Sequence, residues 1–282
     1  MSVAIVADSS SDIPKQLLEK YNNITIVPLY ILFGSESYKD EPQIITHKKF
    51  YDMIRESTVM PTTSQPTPGD FLEKYKELLK QHESIINIFI SKKMSGTITS
   101  AELAKKELPD ADITIIDSEL VHMPAGFLVL KAAEQAAMGK SKEEILEVVR
   151  EYKEKIKVLF IPSTLEYLKR GGRIGRSKAL LASLLEIKPI LTLNLGEVSP
   201  FKNTRRWSQA KIELLSTMES MLKNPAAAHF FVGDSDMKDE GDAMAEKIKE
   251  KFGVNEIIRG DIGCIVGSHI GPGTVAVTFY ED

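Results

Sequence analysis

The sequence predicts two α/β domains: an N-terminal three-layer α/β/α domain with a parallel sheet over residues 1–160, and a C-terminal two-layer α+β domain with a mixed sheet over residues 161–282. Three observations predict this. Short apolar runs alternate with helical patterns in the first half, which is typical of βαβ units and a parallel sheet. A hairpin pattern around Gly196-Glu197 in the second half requires an antiparallel pair of strands. The chain of 282 residues is long enough for two ordinary domains.

The first half begins with an apolar strand over residues 3–7, followed by a polar run over residues 8–12. Asp12 precedes Pro14 and a helical pattern, so it is predicted to cap that helix. Loops that follow the strands of a parallel sheet gather at one edge, where ligands bind. Further strands are predicted over residues 24–33, 85–90 and 113–116, and helices over residues 71–81 and 97–107.

The second half mixes hairpin-connected and crossover strands, which favours a mixed sheet with helices on one face. The final two strands are predicted to flank a glycine-rich loop over residues 267–274. The predicted strands cover residues 187–195, 198–202, 229–233, 263–266 and 275–280, and the predicted helices cover residues 141–155, 162–169, 204–223 and 240–252.

Composition narrows the class of protein. Hydrophobic residues make up 43% and charged residues 27% of the chain, which is typical of a folded globular protein. The net charge of -4 argues against general nucleic-acid binding, because such binding needs a basic face. The first residues lack the features of a signal peptide, and no apolar run is long enough to span a bilayer. The single cysteine, Cys264, excludes an internal disulfide and is predicted to be a small buried residue. We therefore expect a soluble cytoplasmic protein.

A loop bounded by prolines carries three consecutive hydroxyl residues, Thr62, Thr63 and Ser64. Just beyond it, Thr67 and Asp70 are predicted to form a capping box, with Pro68 at the first helical position. The capping box does not account for the three hydroxyls. They form either a polar surface loop or a binding loop.

A second candidate site is the turn over residues 91–97, which follows an apolar strand and opens a helix. The backbone N–H groups at a helix N-terminus suit an anion. Ser95 is therefore either a simple N-cap or an anion ligand, and Gly96 lets the backbone turn tightly beside it. The spacing is neither that of a phosphate P-loop nor that of a dinucleotide-binding turn.

Two further segments carry polar groups among glycines. His269 is the single titratable group in the loop over residues 267–274, and it is either structural or a hydrogen-bond donor to a carboxylate. Arg170 and Arg173 lie around Gly171-Gly172. Arg170 suits the last turn of a helix, and the two arginines together suit a phosphate or a partner protein. Because the chain has five histidines and one cysteine, no metal cluster is predicted.

Taken in order and spacing, these segments resemble the DegV family over essentially the whole chain. The segments that carry the resemblance are Asp8-Ser9-Ser10-Ser11-Asp12, Thr63-Ser64-Gln65-Pro66, Ser95-Gly96-Thr97, Gly171-Gly172-Arg173-Ile174 and Gly271-Pro272-Gly273. The family includes the fatty-acid-binding subunits of bacterial fatty-acid kinases. The resemblance implies a protein that holds one long-chain fatty acid, of the palmitate, stearate or oleate class, by its carboxylate in a buried apolar pocket. A separate ATP-dependent kinase subunit would phosphorylate it, and this chain would keep the acyl-phosphate for phospholipid synthesis.

The resemblance also assigns roles to residues. Thr63 and Ser95 match the positions that hold the carboxylate, with Thr62, Ser64 and Gly96 beside them, and His269 matches a position near that carboxylate. Arg170, with Arg173, matches a position linked to docking with the kinase or to phosphate contact. The implied protein is not an enzyme on its own, has no other cofactor, binds no nucleic acid and is compatible with transient contact with a membrane.

Two other functions fit the sequence. One is a free-standing small-molecule kinase or hydrolase that uses Ser95 or His269, suggested by a distant similarity of architecture to dihydroxyacetone kinases. The other is a regulatory protein in which a bound lipid is structural. The fatty-acid-binding subunit is the preferred hypothesis because the resemblance implies it. The polar groups of the candidate loops agree with it, since they are mostly neutral hydroxyls, which bind more readily than they catalyse.

Overall fold

The computed structural model describes residues 2–183 and 187–282. The chain divides into two units, the first formed by Met1–Thr46 with Val59–Glu154 and the second by His47–Thr58 with Lys155–Asp282. The sequence pattern does not single out His47–Thr58 as part of the second unit. The division into domains over residues 1–160 and 161–282 stays a prediction.

The elements up to residue 155 are, in chain order, β1 (Val3–Asp8), α1 (Lys15–Leu18), β2 (Ile24–Val27), β3 (Tyr30–Phe33), β4 (Glu36–Lys39), α2 (His47–Glu56), β5 (Thr62–Ser64), α3 (Pro68–Leu78), β6 (Ser84–Phe89), α4 (Thr97–Lys106), β7 (Asp112–Asp117), α5 (Met123–Ala137) and α6 (Lys142–Lys155). The elements that follow are β8 (Lys157–Ile161), α7 (Glu166–Arg170), β9 (Lys188–Asn194), β10 (Glu197–Thr204), α8 (Trp207–Met221), β11 (Ala228–Ser235), α9 (Lys238–Phe252), β12 (Ile258–Asp261), α10 (Cys264–Ile270) and β13 (Thr274–Glu281).

The first unit contains the predicted parallel sheet, with strand order β2-β1-β6-β7. Every residue of β1 and of β6 is buried, as expected for parallel strands that are covered on both faces and therefore read as continuous apolar runs. On one face Ala4 and Val6 pack with Phe71 and Tyr75 of α3 and with Ile98 of α4. The predicted fold class is confirmed for this unit.

The apolar run over residues 24–33 forms two strands that belong to different sheets. It is interrupted at Pro28, which lacks the N–H that a ladder needs. β2 joins the parallel sheet, whereas β3 forms an antiparallel three-stranded sheet in the order β4-β3-β5. This second sheet matters for function, because β5 is the segment with the three hydroxyl residues.

The prediction that Asp12 caps the first helix is wrong. Asp8 caps a short 3-10 turn over Ser9–Ser11, and Asp12 ends that turn with a φ of 47°. The N-cap position of α1 is taken by Pro14, which makes no side-chain capping bond. Asp tolerates the left-handed region better than most residues, so the polar run after β1 closes a turn instead of starting a helix.

The second unit contains a six-stranded mixed sheet in the order β10-β9-β8-β13-β11-β12. The sequence predicts a mixed sheet here, but not the strands β8 and β12. β11 and β12 are parallel and are connected through α9, while the other pairs are antiparallel. The predicted hairpin is confirmed, and its turn at Leu195 and Gly196 has positive φ at both residues. Apolar side chains of α8 and α9 form the core with the sheet, among them Leu214, Met244 and Phe252.

The strand predicted over residues 263–266 is wrong, because these residues belong to the cap and first turns of α10. Ile265 and Val266 are β-branched and favour a strand locally. Gly263 takes the N-cap position, and the hydroxyl of Ser268 donates to the carbonyl of Cys264 at 2.8 Å, within one helical turn. Tertiary packing described below decides the outcome over local propensity. Cys264 is buried, as predicted.

No helix in the described part of the chain combines the length and apolarity that a bilayer crossing requires.

Candidate functional site

The three hydroxyl residues of the first unit lie on β5, a short strand held by β3. Thr63 is paired with Ile31 and Ser64 with Tyr30 in the antiparallel register. Thr62 and Ser64 are exposed and Thr63 is partly buried. The segment continues into the predicted capping box, which is confirmed: Thr67 and Asp70 cap α3 reciprocally, with Pro68 at its start. The hydroxyl residues thus lie on a strand that is paired with β3 and is followed in the chain by the capped helix α3.

The second candidate segment, the turn over residues 91–97, is ordered by its own hydrogen bonds. Ser95 N–H donates to the carbonyl of Ser91 at 3.1 Å. Its hydroxyl accepts the N–H of Thr97 at 3.3 Å and lies 2.9 Å from the Thr97 hydroxyl. Gly96, and not Ser95, occupies the N-cap position of α4, without a side-chain capping bond. Ser95 therefore stands beside the positive end of a ten-residue helix.

The structure brings these two segments together within the first unit. A Cβ atom on Gly96 would lie only 2.6 Å from Nε2 and 2.9 Å from Cδ of Gln65, the residue that follows the three hydroxyls. The absence of a side chain at Gly96 thus lets the Gln65 amide lie directly against its backbone, and a larger residue would displace that amide. We refer to residues Thr62, Thr63, Ser64, Ser95 and Gly96 as the hydroxyl cluster. All five were predicted as ligand-binding residues.

A buried carboxylate holds the end of β6, just before the turn that carries Ser95. Asp8, which is 1% exposed at the end of β1, accepts the N–H of Ile90 at 2.7 Å and the N–H of Ser10 at 3.1 Å. Burial raises the pKa of Asp8, and the hydrogen bonds from Ser10 and Ile90 oppose that rise. Sequence reasoning gave Asp8 no role in the site. The available signal was a single acid directly after a fully apolar strand.

The other predicted site residues lie in the second unit. His269 is in the last turn of α10, and a Cβ atom on Gly171 would collide with its Nδ1. Arg173 donates from Nη1 to the carbonyl of Gly171 at 2.6 Å. Burial, together with the positive charge of Arg173, lowers the pKa of His269 to about 4. His269 is thus a neutral imidazole at pH 7, next to a segment that carries two arginines.

Arg170 lies at the end of α7, where the sequence predicts it. Its Nε donates to Oε1 of Glu166 one turn earlier at 2.6 Å, and 62% of its side chain is exposed. Arg170 is therefore accessible to solvent in this structure. His269, Arg170 and Arg173 form one neighbourhood in the second unit. That they act on the same ligand as the hydroxyl cluster stays a prediction.

The chemistry of these groups favours binding over proton transfer. A hydroxyl or a neutral imidazole donates one hydrogen bond to an anion without adding a charge. A histidine with a pKa of about 4 is a weak general base at neutral pH. Within the described ranges, no group of three or more His, Cys, Asp or Glu residues is arranged to hold a metal ion.

A separate open cleft of about 540 Å³ lies in the second unit, and none of the predicted site residues lines it. Several of its charged groups are already engaged: His47 with Asp261 at 3.1 Å, and Asp234 with Arg259 at 2.8 Å. The lining residues are His47, Lys48, Tyr51, Asp234, Asp236, Met237, Lys238, Asp239, Glu240 and Asp261.

Comparison with known proteins agrees with the resemblance seen in the sequence. The model of the DegV family matches residues 2–282. A DegV domain-containing protein of Clostridium perfringens is 37% identical over 284 residues, which covers 99% of this chain and 97% of that protein. A solved structure of a DegV family protein from Thermus thermophilus, described by its fatty acid binding, matches with a TM-score of 0.93 at 34% identity and covers 100% of both chains. The structure of DegV from Bacillus subtilis, described as a fatty acid binding protein, matches with a TM-score of 0.91 at 30% identity, again over 100% of both chains.

Proposed function

The chain belongs to the DegV family, and we propose that it binds one long-chain fatty acid, with the carboxylate held by Thr63 and Ser95. The observation that carries the proposal is the hydroxyl cluster at the N-terminus of α4. The similarity to two fatty-acid-binding structures over their full length supports it.

The energetics of such a ligand suit these groups. Burial of an acyl chain contributes about 0.8 kcal/mol per CH₂ group, so a long chain supplies most of the affinity. The carboxylate is the difficult part, because a buried and unpaired charge is strongly disfavoured. Hydroxyl donors and the positive end of α4 stabilise that charge without a permanent ion pair.

His269 is proposed as a further hydrogen-bond donor to the same head group, a role that rests on the family motif. Its low pKa supports the proposal, since a neutral imidazole remains a donor through one nitrogen at pH 7. The arginines of the second unit are proposed to serve a partner: Arg170 contacts a separate ATP-dependent fatty-acid kinase subunit, and Arg173 contacts phosphate. In this scheme the chain presents the fatty acid and then keeps the acyl-phosphate.

Native mass spectrometry of the purified protein, followed by organic extraction, tests the binding. We expect one fatty acid of the palmitate, stearate or oleate class per chain. A protein that is purified empty and does not bind added oleate would contradict the proposal.

A comparison of oleate with oleyl alcohol tests the head-group contacts, because the two ligands share the acyl chain and differ in charge. The wild type should prefer oleate, and the Thr63→Ala, Ser95→Ala double variant should lose that preference. Thr99→Ala, which removes an exposed hydroxyl from α4, is the matched control and should keep it.

Phosphate transfer from labelled ATP to bound oleate tests the kinase scheme. Transfer should require an added catalytic subunit of a bacterial fatty-acid kinase, and Arg170→Ala should reduce it without changing oleate binding. Transfer by the pure chain alone would instead support a free-standing kinase.

A further inference from the structure

The helix α2 belongs to the second unit, although its sequence lies in the first half of the chain. Polar contacts fix both of its ends. His47 at the first position contacts Asp261 at 3.1 Å, and Arg55 near the last position pairs with Asp236. The buried face between them is formed by Phe50, Tyr51 and Ile54.

Tyr51 connects this helix to the start of α10. Its hydroxyl donates to the carbonyl of Ile262 at 2.7 Å, two residues before α10 begins. Tyr51 is 3% exposed and Ile262 is 1% exposed, so solvent cannot easily replace this hydrogen bond. The start of α10 is therefore set by a side chain that comes from α2.

The middle of α10 is held by the same residue. A Cβ atom on Gly267 would lie 2.6 Å from the Tyr51 hydroxyl oxygen and 2.8 Å from Cε1 of Phe50. The two rings meet edge to face, with centroids 5.0 Å apart. Because Gly267 has no side chain, both rings rest directly on the backbone of α10.

His269 lies two residues after this contact, on a helix of seven residues. Its ring occupies a narrow position against Gly171, where there is no room for a Cβ atom. A rigid helix of less than two turns transmits any shift of Gly267 to His269. The contacts of Tyr51 with Ile262 and Gly267 thus lie on the same short segment as the imidazole.

We propose that Tyr51 is a positioning residue for His269: by bonding to the Ile262 carbonyl and packing on Gly267, it fixes α10 so that the imidazole meets the anionic head group of the ligand. This role rests on the proposed function, in which His269 contacts a fatty-acid carboxylate. Tyr51 itself touches no ligand in this scheme.

A double-mutant cycle tests the proposal with Tyr51→Phe, His269→Gln and the double variant, with oleate as the probe at pH 7. Tyr51→Phe removes one hydrogen bond and keeps the ring, so it should raise the oleate Kd about fivefold. His269→Gln should raise the Kd about tenfold. If Tyr51 acts through His269, the double variant should also show a rise of about tenfold, not the product of the two effects.

Tyr75→Phe is the matched control. The Tyr75 hydroxyl donates to Oδ1 of Asn87 at 2.9 Å within the buried core of the first unit, so its loss has a similar cost to stability. Any rise in the oleate Kd caused by Tyr75→Phe should be independent of His269. The Tyr75→Phe, His269→Gln double variant should therefore show the product of the two single effects.

The NMR signals of the His269 ring provide a readout that a purely structural role would not move. They are assigned by their loss in His269→Gln. In Tyr51→Phe they should shift, whereas they should stay unchanged in Tyr75→Phe.

Two results would overturn the positioning role. If Tyr51→Phe raises the oleate Kd by the same factor in the wild type and in the His269→Gln variant, Tyr51 acts on stability alone. An unchanged oleate Kd for His269→Gln would show that His269 makes no important contact with the head group, so Tyr51 would have nothing to position. Fatty-acid binding by the chain would still stand. Failure of the wild type to bind oleate would instead contradict the proposed function.

Discussion

The carboxylate of Asp8 accepts the backbone N–H of Ile90 at 2.7 Å, which ties the end of β1 to the end of β6 immediately before the turn that carries Ser95. The same carboxylate accepts the N–H and the hydroxyl of Ser10. One buried side chain thus joins two neighbouring loops at the carboxyl edge of the parallel sheet. In such sheets this edge is where binding loops gather.

Asp8→Ala should destabilise the protein by about 3 kcal/mol, because it leaves the Ile90 and Ser10 donors without their acceptor in a buried position. Urea unfolding at pH 7 measures this loss. Asp110→Ala, at an exposed position, is the control and should change stability by no more than about 0.5 kcal/mol. Equal stability of the two variants would show that Asp8 does not hold the loops.

Gly96→Ala should weaken oleate binding more than it weakens the fold. The new Cβ atom meets the amide end of Gln65, an exposed and flexible side chain that can move away at a cost below about 1 kcal/mol. The displaced Gln65 amide then no longer packs against the backbone next to Ser95, so the head-group contacts are less well ordered and we expect a rise in the oleate Kd of about tenfold. Isothermal titration with oleate and urea unfolding measure the two effects.

The control for Gly96→Ala is Gly69→Ala, also at a helix N-terminus, where the nearest atom to the new Cβ is 3.5 Å away. It should change neither the Kd nor the stability by a measurable amount. A Gly96→Ala protein that binds oleate as tightly as Gly69→Ala would argue against contact between the two segments.

Gly267→Ala should destabilise the second unit, although alanine is the better helix former by about 1 kcal/mol. The new Cβ atom would meet the rings of Phe50 and Tyr51, which are 0% and 3% exposed and pack directly on the backbone of α10. Such overpacking costs about 1–3 kcal/mol. Thermal unfolding should therefore show a lower Tm. Adding Tyr51→Phe should recover part of the lost Tm, because it removes the hydroxyl oxygen that would lie 2.6 Å from the new Cβ atom. A higher Tm for Gly267→Ala would contradict the packing described here.

Local signals in the sequence were sufficient for much of the fold. The continuous apolar run of β1 and the Thr67–Asp70 capping box are confirmed, because each depends on neighbours within a few residues along the chain. The hairpin of β9 and β10 is confirmed for the same reason, although its turn lies at Leu195 and Gly196, one residue before the predicted Gly196-Glu197. The loop predicted for Thr62, Thr63 and Ser64 is wrong, because these residues form the strand β5 through pairing with the distant strand β3.

Features that depend on distant contacts could not be predicted in this way. The strand predicted over residues 263–266 is a helix whose middle packs on Phe50 and Tyr51, more than 200 residues earlier in the chain. The approach of Gln65 to Gly96 and the bond from Asp8 to Ile90 likewise join separate segments. No periodicity in the sequence encodes which residues meet across such distances.

The depressed pKa of His269 predicts a specific pH dependence of stability. In the folded chain this pKa is about 4, against an ordinary histidine pKa of 6.5. Between these values the unfolded state binds the extra proton, so stability is complete above pH 6.5 and falls as the pH drops toward 4. The loss reaches at most about 3 kcal/mol by pH 4. His269→Gln should remove this contribution. The unfolding free energy of the wild type should therefore fall more than that of the variant when the pH is lowered from 7 to 4.5. Urea unfolding at both pH values measures it, and a difference that stays constant would show that His269 titrates normally in the folded protein.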